Sequence, residues 1–434
     1  MKVCKFGGSS LSCSLQFEKV KNIIQKDNQR NVVIVSAPGK RSSDDNKITD
    51  LLYLTYFHIK YKVDFARVFD LVKERYLEIR DNLHLNVDLE SEFASLEERM
   101  RSNKISEEEL VSRGEYFNAK LMAAYLGYAF VDAKDVIFFN FDGRVNVEKT
   151  ESSIKAIYAL NNKIVIPGFY GCYPDGSISL FSRGGSDVTA SYFAKALDVT
   201  MYENWTDVSG FFKADPKIVK NAQPIKEVSY DELRELSYMG ASVLHEETII
   251  PLLGSDIPLM VLNTNHPEES GTMISSECQD KDTLITGITG KKGFISLTFV
   301  KSRTSDKLKV MLQVLKVFDH LQISVEHIPS SIDSFSVIIE KDKMEHKYFD
   351  LIAEIKKIDD VLSVKEYDDI ALIAVVGRNM VTKPGISGKI LSVFGQEKVN
   401  IKLIDQSREE INIIVGIGND DFERSINMLY QQFC

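Results

Sequence analysis

The chain has 434 residues, of which 44% are hydrophobic and 27% are charged, a composition typical of a globular protein with about two to four domains. Its formal net charge of −10 argues against a nucleic-acid-binding protein, which would normally present a basic face. We find neither an apolar run of the roughly 18 residues that span a membrane nor the apolar core of a signal peptide. The five cysteines are scattered and lack CxxC spacing, so we expect free thiols in a cytoplasmic protein, and no metal site.

The first predicted elements form a strand, a helix and a second strand. Residues 3–6 are apolar and run into Gly7-Gly8, residues 14–28 carry a helical apolar stripe, and "NVVIVSAP" at 31–38 is a β-branched run. Short connections between such elements predict a parallel sheet, in which functional loops follow the carboxyl ends of the strands. "KFGGSSL" at 5–11 falls at such an end.

The pattern continues with a mostly helical stretch at 47–127 and then further strands and helices. The predicted elements are a strand into a glycine-rich loop at 163–171, a helix at about 186–197, a strand at 199–205, helices at 229–239 and 245–253, and a last strand of this domain at 257–263.

After Asn263 the composition changes to a polar stretch that we interpret as a linker, followed by a weak internal repeat. "FISLTFV" and "IALIAVVG" each lead a unit with the order βαββαβ. This order predicts a small ferredoxin-like domain that occurs twice. A tandem pair behind a catalytic-looking domain more often senses a ligand than serves structure alone.

"FSRGGSD" at 181–187 combines residue types that suit an anionic ligand. Arg183 can donate two hydrogen bonds to a carboxylate or phosphate, and Gly184-Gly185 allow a close approach to the backbone. Ser186 and Asp187 begin the next helix, where free N–H groups favour an anion. An ordinary helix cap would account for Ser186 or Asp187 alone, but not for the Arg-Gly-Gly before them.

Two further segments place polar side chains at sheet edges or helix starts. In "WTDVSGFFKADP" Thr206 and Asp207 follow a strand directly, and in "SRGEYF" Glu115 is expected at a helix start after Gly114. Taken singly, the first segment is consistent with a turn-rich connector and Glu115 with a partner of the helix dipole.

Taken together and in order, "KFGGSSL", "SRGE", "FSRGGSD", "WTDVSGFFKADP" and "MGASVLHEETI" closely resemble aspartate kinases of the amino-acid kinase family. The tail resembles their paired ACT domains. The resemblance implies an α/β fold: a kinase domain built as an αβα sandwich with a mainly parallel sheet (1–265), a linker (266–284), and two ferredoxin-like ACT domains (285–366 and 367–434).

The resemblance also implies the reaction. An aspartate kinase transfers the γ-phosphoryl group of MgATP to the β-carboxylate of L-aspartate, the first step towards lysine, threonine and methionine. Mg²⁺ would be held mainly through the ATP phosphates. The carboxylate is already a nucleophile, so the protein has to position two anions and neutralise charge. Lysine or threonine would act as a feedback effector through the ACT pair, which would also build a homodimer or tetramer.

Roles for individual residues follow from the resemblance. Lys5 would contact the transferring phosphoryl group, Gly7, Gly8 and Ser9 would offer donors, and Asp187 would organise the catalytic groups. The remaining implied roles are substrate contacts from Thr49, Glu115, Arg183 and Ser186, nucleotide contacts from Thr206, Asp207, Phe212, Lys217 and Ser242, and effector contacts from Ser324 and Glu326.

The sequence departs from the family pattern at several points. Phe212 stands where tyrosine is frequent, Ser242 stands where a nucleotide-contacting lysine is usual, and Glu246 replaces a proline. Either Lys217 or Lys213 covers the missing charge, or the nucleotide binds less tightly. The loop at 38–48 is longer and more charged than usual, and Lys309 replaces the glycine before the first ACT helix.

Two alternatives stay open at this point. The chain could be another carboxylate kinase of the same fold, acting on glutamate or an acylated glutamate. It could also be an amino-acid sensor whose kinase site has decayed. The loss of a lysine at Ser242 favours decay weakly, and decay is opposed by the retention of Lys5, Arg183, Asp187, Thr206 and Asp207.

Overall fold

The computed structural model describes residues 1–182, 184–240, 244, 246–280, 283–344, 346–378, 380, 383–406 and 411–434. The backbone divides into two compact units. The first unit contains Met1–Phe211, Pro224–Leu233 and a segment that ends at Gln279. The second unit contains Phe212–Gln223, a segment that begins at Arg234, and Asp280–Cys434.

The elements up to residue 275 alternate between strands and helices. The strands are β1 (Lys2–Phe6), β2 (Arg30–Val35), β3 (Ala129–Phe130), β4 (Ile164–Pro167), β5 (Tyr170–Cys172), β6 (Ile178–Leu180), β7 (Met201–Thr206), β8 (Glu227–Ser229), β9 (Leu259–Asn263) and β10 (Thr272–Ser275). The α-helices are α1 (Ser14–Gln25), α2 (Ile48–Lys60), α3 (Ala66–Asn82), α4 (Glu90–Arg101), α5 (Glu107–Leu126), α6 (Val147–Leu160), α7 (Gly185–Ala196) and α8 (Tyr230–Tyr238).

The main sheet of the first unit has the order β3-β4-β2-β1-β7-β9-β10-β8. Its neighbours pair in parallel except for β9 and β10. The predicted α/β fold with a mainly parallel sheet is therefore confirmed. β1 lies inside this sheet between β2 and β7, with Lys5 in register with Ile34 and Asn204, so the loops after these three strands emerge at one edge.

The helical stretch predicted at 47–127 is also confirmed, as α2 to α5. These helices share one hydrophobic cluster with the sheet because each buries an apolar stripe. Phe93 and Phe117 meet edge to face with ring centroids 4.8 Å apart, and Tyr76 packs beside them. The resulting core holds α3 and α5 at fixed distances from the ends of β1 and β2.

Two local predictions for the first unit were wrong. The α-helix expected at 245–253 is, in the described residues, a pair of short 3-10 helices at Glu246–Thr248 and Ile250–Leu252, where Pro251 lacks the N–H that an α-helix needs. The strand at 257–263 is followed by one more, β10, inside the segment expected to be a linker. The polar composition around β10 concealed it.

The second unit contains the remaining elements. The strands are β11 (Gly287–Lys301), β12 (Ser334–Glu340), β13 (Val361–Val376), β14 (Leu403–Asp405) and β15 (Asn412–Ile417), and the helices are α9 (Lys307–His320), α10 (Tyr348–Ile355), α11 (Ile386–Gln396) and α12 (Phe422–Phe433). They form an antiparallel sheet of order β12-β11-β13-β15-β14.

Strands β11 and β13 each contribute residues to two hydrophobic clusters, one after the other along the strand. Residues 294–301 of β11 pair with residues 361–370 of β13 and contribute to a cluster with α9 and α10. Residues 287–291 pair with residues 372–376 and contribute to a cluster with α11 and α12. One strand of the second ferredoxin-like fold, residues 287–291, thus comes before the first ferredoxin-like fold in the chain.

The domain boundaries at 266, 285 and 367 stay predictions. We propose a modified assignment in which Ile285 and Ile288 belong to the second ACT domain, because both pack in the cluster of α11 and α12. Ala214 and Val219, from the segment Phe212–Gln223, pack in the same cluster.

A buried carboxylate ties the first strands of the main sheet together. Glu203 on β7 is 1% exposed. Its two oxygens accept hydrogen bonds from Arg30 Nε (2.8 Å), Lys2 Nζ (2.8 Å) and the Trp205 indole N–H (2.9 Å). Burial alone would raise the pKa of Glu203, but these two cations hold it below its ordinary value.

Replacing Arg30 by methionine is expected to destabilise the protein by about 3 kcal/mol, because Glu203 would stay buried without its best partner. Urea unfolding at neutral pH measures this loss. The double variant Arg30→Met/Glu203→Leu removes both charges and should recover at least half of it. A single variant that loses less than about 1 kcal/mol would contradict the importance of this pair.

Candidate active site

The centre of the site is an ion pair at the end of β1. Lys5 is 7% exposed, and its Nζ lies 2.7 Å from Oδ1 of Asp187 in the first turn of α7. The side-chain amide of Asn204 donates to the same oxygen at 3.0 Å. Asn204 is the register partner of Lys5 on β7, so backbone pairing brings all three side chains together.

Two glycines allow the loops after β1 and β2 to touch. The Gly39 N–H donates to the Gly8 carbonyl at 2.8 Å. A Cβ on Gly8 would lie 2.8 Å from the carbonyl oxygen of Ala37, and one on Gly39 would lie 2.7 Å from the Gly8 carbonyl carbon. Only residues without a side chain fit this crossing, which explains the glycines in both loops.

A third glycine shapes the start of α7. Gly184 has a φ of 56° and occupies the cap position before the helix, which begins at Gly185. The prediction that Ser186 and Asp187 lie at a helix start is therefore confirmed. Ser186 is 7% exposed and packs closely against Gly168. A Cβ on Gly168 would lie 2.6 Å from the Ser186 Cα.

A cavity of about 460 Å³ opens beside these loops. Its lining includes Gly8, Ser9, Thr49, Glu115 and Asp207, all of which were predicted to contact substrate or nucleotide, and the lysines Lys40 and Lys47. The structure thus brings together residues from the ends of β1, β2 and β7 and from α2 and α5. Thr206 ends β7, and its hydroxyl donates to Asp207 at 3.2 Å.

Glu115 lies in the middle of α5, not at a helix start as expected. The helix begins earlier because Ser106 caps it by accepting from the Glu109 N–H at 3.1 Å. The Glu115 side chain is buried, and Oε1 accepts from the Ala37 N–H at 3.0 Å, while Oε2 has no hydrogen-bond partner among the described residues. Burial raises the pKa of Glu115 to about 7.

Other residues with roles implied by the resemblance fall outside the first unit or outside the described residues. Phe212 and Lys217 belong to the second unit, as does Lys213. Arg183 and Ser242 lie outside the described residues. The roles assigned to these residues stay predictions.

The predicted effector residues lie in the second unit after α9. Ser324 is exposed, whereas the Glu326 side chain is only 8% exposed. Its carboxylate accepts from Lys343 Nζ at 3.4 Å and from the Tyr238 hydroxyl. An acidic side chain therefore lies at this predicted effector position, and its carboxylate is already paired with Lys343.

Sequence reasoning missed three polar residues that support the site. Asn204 holds Asp187, Asn118 donates to the Ser36 carbonyl at 2.6 Å, and Arg75 donates to the Gly39 carbonyl at 2.9 Å. Asn204 and Asn118 could have been found as polar residues in otherwise apolar stretches. Arg75 carries no such signal, because charged residues are frequent on α3.

The arrangement suits transfer between anions: a buried lysine lies at a glycine-rich loop, and a buried carboxyl group with a free oxygen lines the adjoining cavity. The described residues contain no group of three or more His, Cys, Asp or Glu side chains that could hold a metal ion. No helix in the described ranges is long and apolar enough to cross a bilayer.

Comparisons with known proteins agree with this site. Residues 1–263 match the sequence model of the amino acid kinase family, and residues 373–433 match that of an ACT domain. Aspartokinase 3 of Bacillus subtilis (strain 168) is 33% identical over 449 aligned positions, which cover 100% of this chain and 98% of that protein.

Solved structures extend the agreement to the whole fold. The crystal structure of Clostridium acetobutylicum aspartate kinase is similar with a TM-score of 0.95 and 44% identity, covering 100% of both chains. Aspartokinase III of E. coli, solved with aspartate and ADP, shares the fold at 22% identity with a TM-score of 0.79 over 99% of both chains. The chain therefore belongs to the aspartate kinases of the amino acid kinase family.

Proposed function

We propose that this protein phosphorylates the β-carboxylate of L-aspartate with MgATP, giving 4-phospho-L-aspartate and ADP, at the site built around Lys5 and Asp187. The observation that carries the proposal is the buried Lys5–Asp187 ion pair, 2.7 Å long, beside a cavity that contains Glu115 and Thr49. A carboxylate oxygen forms the new bond to phosphorus while the bond from phosphorus to the β,γ-bridging oxygen breaks.

Lys5 would supply the charge that the transferring group needs. Its ammonium group is preorganised by Asp187, which is itself fixed by Asn204, so no reorganisation is required when negative charge shifts during transfer. The backbone N–H groups of Gly8 and Ser9, at the start of a short 3-10 helix, would donate to the same phosphate. Mg²⁺ would enter on the ATP phosphates and share this neutralisation.

Glu115 would bind the ammonium group of the amino acid. Its Oε2 is buried and unpaired among the described residues, which is costly unless a donor arrives with the ligand. With a pKa of about 7, the carboxyl group is about half protonated at neutral pH in the free enzyme. The cationic substrate would pull it into the charged form, which couples substrate binding to proton release.

Feedback control would act through the ACT pair. Glu326 would accept the ammonium group of an effector amino acid, and Lys343 and the Tyr238 hydroxyl would have to give up their places on that carboxylate. Tyr238 ends α8, which starts among residues of the first unit, so a change at Glu326 acts on the end of that helix. The ACT pair would also build a homo-oligomer, and the five free cysteines support a cytoplasmic location.

The reaction itself is tested by ADP release with aspartate, glutamate or N-acetylglutamate as acceptor. We expect a clear preference for aspartate, and a loss of at least about 100-fold in kcat for Lys5→Ala assayed well below its own melting temperature, which should fall because Asp187 would stay largely buried without its cation. Lys60→Ala, at the far end of α2, is the matched control and should behave as wild type. ADP release with none of the acceptors would contradict the proposal, and preference for glutamate would replace the substrate.

Glu115→Gln is expected to separate stability from binding. The raised pKa means that the folded wild-type protein holds this proton from about pH 4.5 to 7 while the unfolded chain does not, so wild-type stability falls as the pH rises through this range. The variant avoids this loss. Compared with wild type, its free energy of unfolding should be higher by about 1 to 3 kcal/mol at pH 8 but not at pH 4.5.

Urea unfolding of both proteins at the two pH values measures this difference, and steady-state kinetics should show a raised KM for aspartate in the variant. Equal stability differences at both pH values would show that the carboxyl group does not titrate near pH 7.

Feedback through Glu326 is tested by titrating the enzyme with lysine and with threonine. We expect one of them to inhibit the wild type and Glu326→Gln to raise the inhibitory concentration about tenfold, because the charge-assisted hydrogen bond to the effector ammonium is weakened. Ser324→Ala, at an exposed neighbour, serves as a second probe. A flat response of the wild type to both amino acids would leave the ACT pair as an assembly module.

A further inference from the structure

The long loop between β2 and α2 contributes two lysines to the cavity. Lys40 and Lys47 both line it together with Thr49 and Glu115, and both side chains are exposed. The Lys40 Nζ has a carbonyl partner, Ser43 O at 3.4 Å, and within the described residues neither lysine forms an ion pair. Two cations thus line the site together with the carboxyl groups of Glu115 and Asp207, but neither lies within ion-pair distance of a carboxylate in the described chain.

Of the two acidic residues in the loop, Asp45 is engaged elsewhere, and Asp44 accepts from the Ser43 hydroxyl at 3.3 Å. Both oxygens of Asp45 accept from Arg75, at 2.6 and 2.8 Å, and one also accepts from the Arg41 backbone N–H at 2.8 Å. Although burial acts the other way, these donors and the charge of Arg75 hold the pKa of Asp45 below its ordinary value. Asp45 therefore remains ionised but is unavailable to Lys40 and Lys47.

Arg75 also fixes the path of the loop. It is 4% exposed and donates from one guanidinium nitrogen to the Gly39 carbonyl at 2.9 Å and from the other to Asp45. The end of the loop is held where the Ile48 N–H donates to the Pro38 carbonyl at 3.2 Å. A buried arginine with partners at two points of one loop restricts where Lys40 and Lys47 can reach.

The charge pattern of the cavity matches a dicarboxylic amino acid. Glu115 suits the ammonium group, whereas the two carboxylates of aspartate need cations, one of which the resemblance assigns to Arg183, outside the described residues. Lys5 is already paired with Asp187. Lys40 and Lys47 share the cavity with the residues assigned to the acceptor, Thr49 and Glu115.

We infer that Lys40 and Lys47 bind the carboxylates of the acceptor amino acid, and that Arg75, through Asp45 and Gly39, is the positioning residue of their loop. The inference rests on the proposed function and adds the residues that recognise the acceptor. It also gives the long, charged loop between β2 and α2 a role in binding the acceptor.

The test is steady-state kinetics of Lys40→Ala and Lys47→Ala, with Lys40→Arg and Lys47→Arg as conservative variants. Each alanine variant should raise the KM for aspartate about fivefold, leave kcat within twofold and leave the KM for MgATP unchanged, as expected for a partly exposed ion pair. The arginine variants should lie close to wild type. Added salt should reduce the difference between wild type and the alanine variants.

The matched control is again Lys60→Ala, an exposed lysine at the other end of the same helix. It should leave both KM values unchanged. Lys47 makes no side-chain cap bond to α2, so Lys47→Ala is not expected to weaken the helix.

The positioning role is tested with Asp45→Asn, which keeps the shape of the side chain and removes its charge. The KM for aspartate should rise severalfold with kcat retained. When Asp45→Asn is added to the Lys40→Ala/Lys47→Ala double variant, it should raise this KM less, because the loop then carries no lysine to position. An equal rise with and without the lysines would overturn the positioning role.

The outcomes separate the two proposals. A wild-type enzyme without aspartate-dependent ADP release would contradict the proposed function itself. An active wild type whose KM for aspartate is unchanged in both lysine variants would overturn this inference alone. A raised KM for MgATP with an unchanged KM for aspartate would overturn it as well, by assigning the lysines to the nucleotide.

Discussion

The ion pair between Lys5 and Asp187 is the interaction on which the site depends. Two charges that are largely removed from water are stable only when their geometry is good and their remaining hydrogen-bonding capacity is used. Here β1 supplies the lysine, α7 supplies the aspartate, and β7 supplies the amide of Asn204, which stands in register with Lys5. The same contact therefore fixes a cation at the edge of the sheet and defines how three elements must pack.

This pair also sets the charge problem that the rest of the cavity has to solve. Because Asp187 offsets the charge of Lys5, two anionic substrates need further positive groups. The glycine-rich loop supplies backbone N–H donors but no cationic side chain. The loop after β2 offers Lys40 and Lys47. Of its two aspartates, Asp45 is held by Arg75 and Asp44 accepts from the Ser43 hydroxyl, so neither forms an ion pair with these lysines in the described chain. Glu115 complements them as an acid that is partly neutral until a cationic group arrives.

Much of this was predictable from the sequence, and the failures have physical causes. Strand β1, its glycine loop and the start of α7 were predicted because apolar runs that end in glycines or cap residues are strong local signals. The mid-helix position of Glu115 was missed because Gly114 suggested a helix start, whereas close packing of Gly114 against Ala37 and α2 overrides its weak helix propensity. Arg75 and the upstream strand at 287–291 were missed because their partners are distant in sequence: Gly39 and Asp45 for Arg75, and residues 372–376 for the strand. Local composition does not indicate such pairs.

That upstream strand changes how regulation in the second unit has to be understood. β11 and β13 each extend from one hydrophobic cluster into the other, and their register shifts between Lys291 and Phe294, where the first ferredoxin-like fold meets the second. Because α8 begins among residues of the first unit and ends at Tyr238, which donates to Glu326, one hydrogen bond links the predicted effector residue Glu326 to the end of α8. Coupling through this hydrogen bond requires only that the effector compete for one carboxylate.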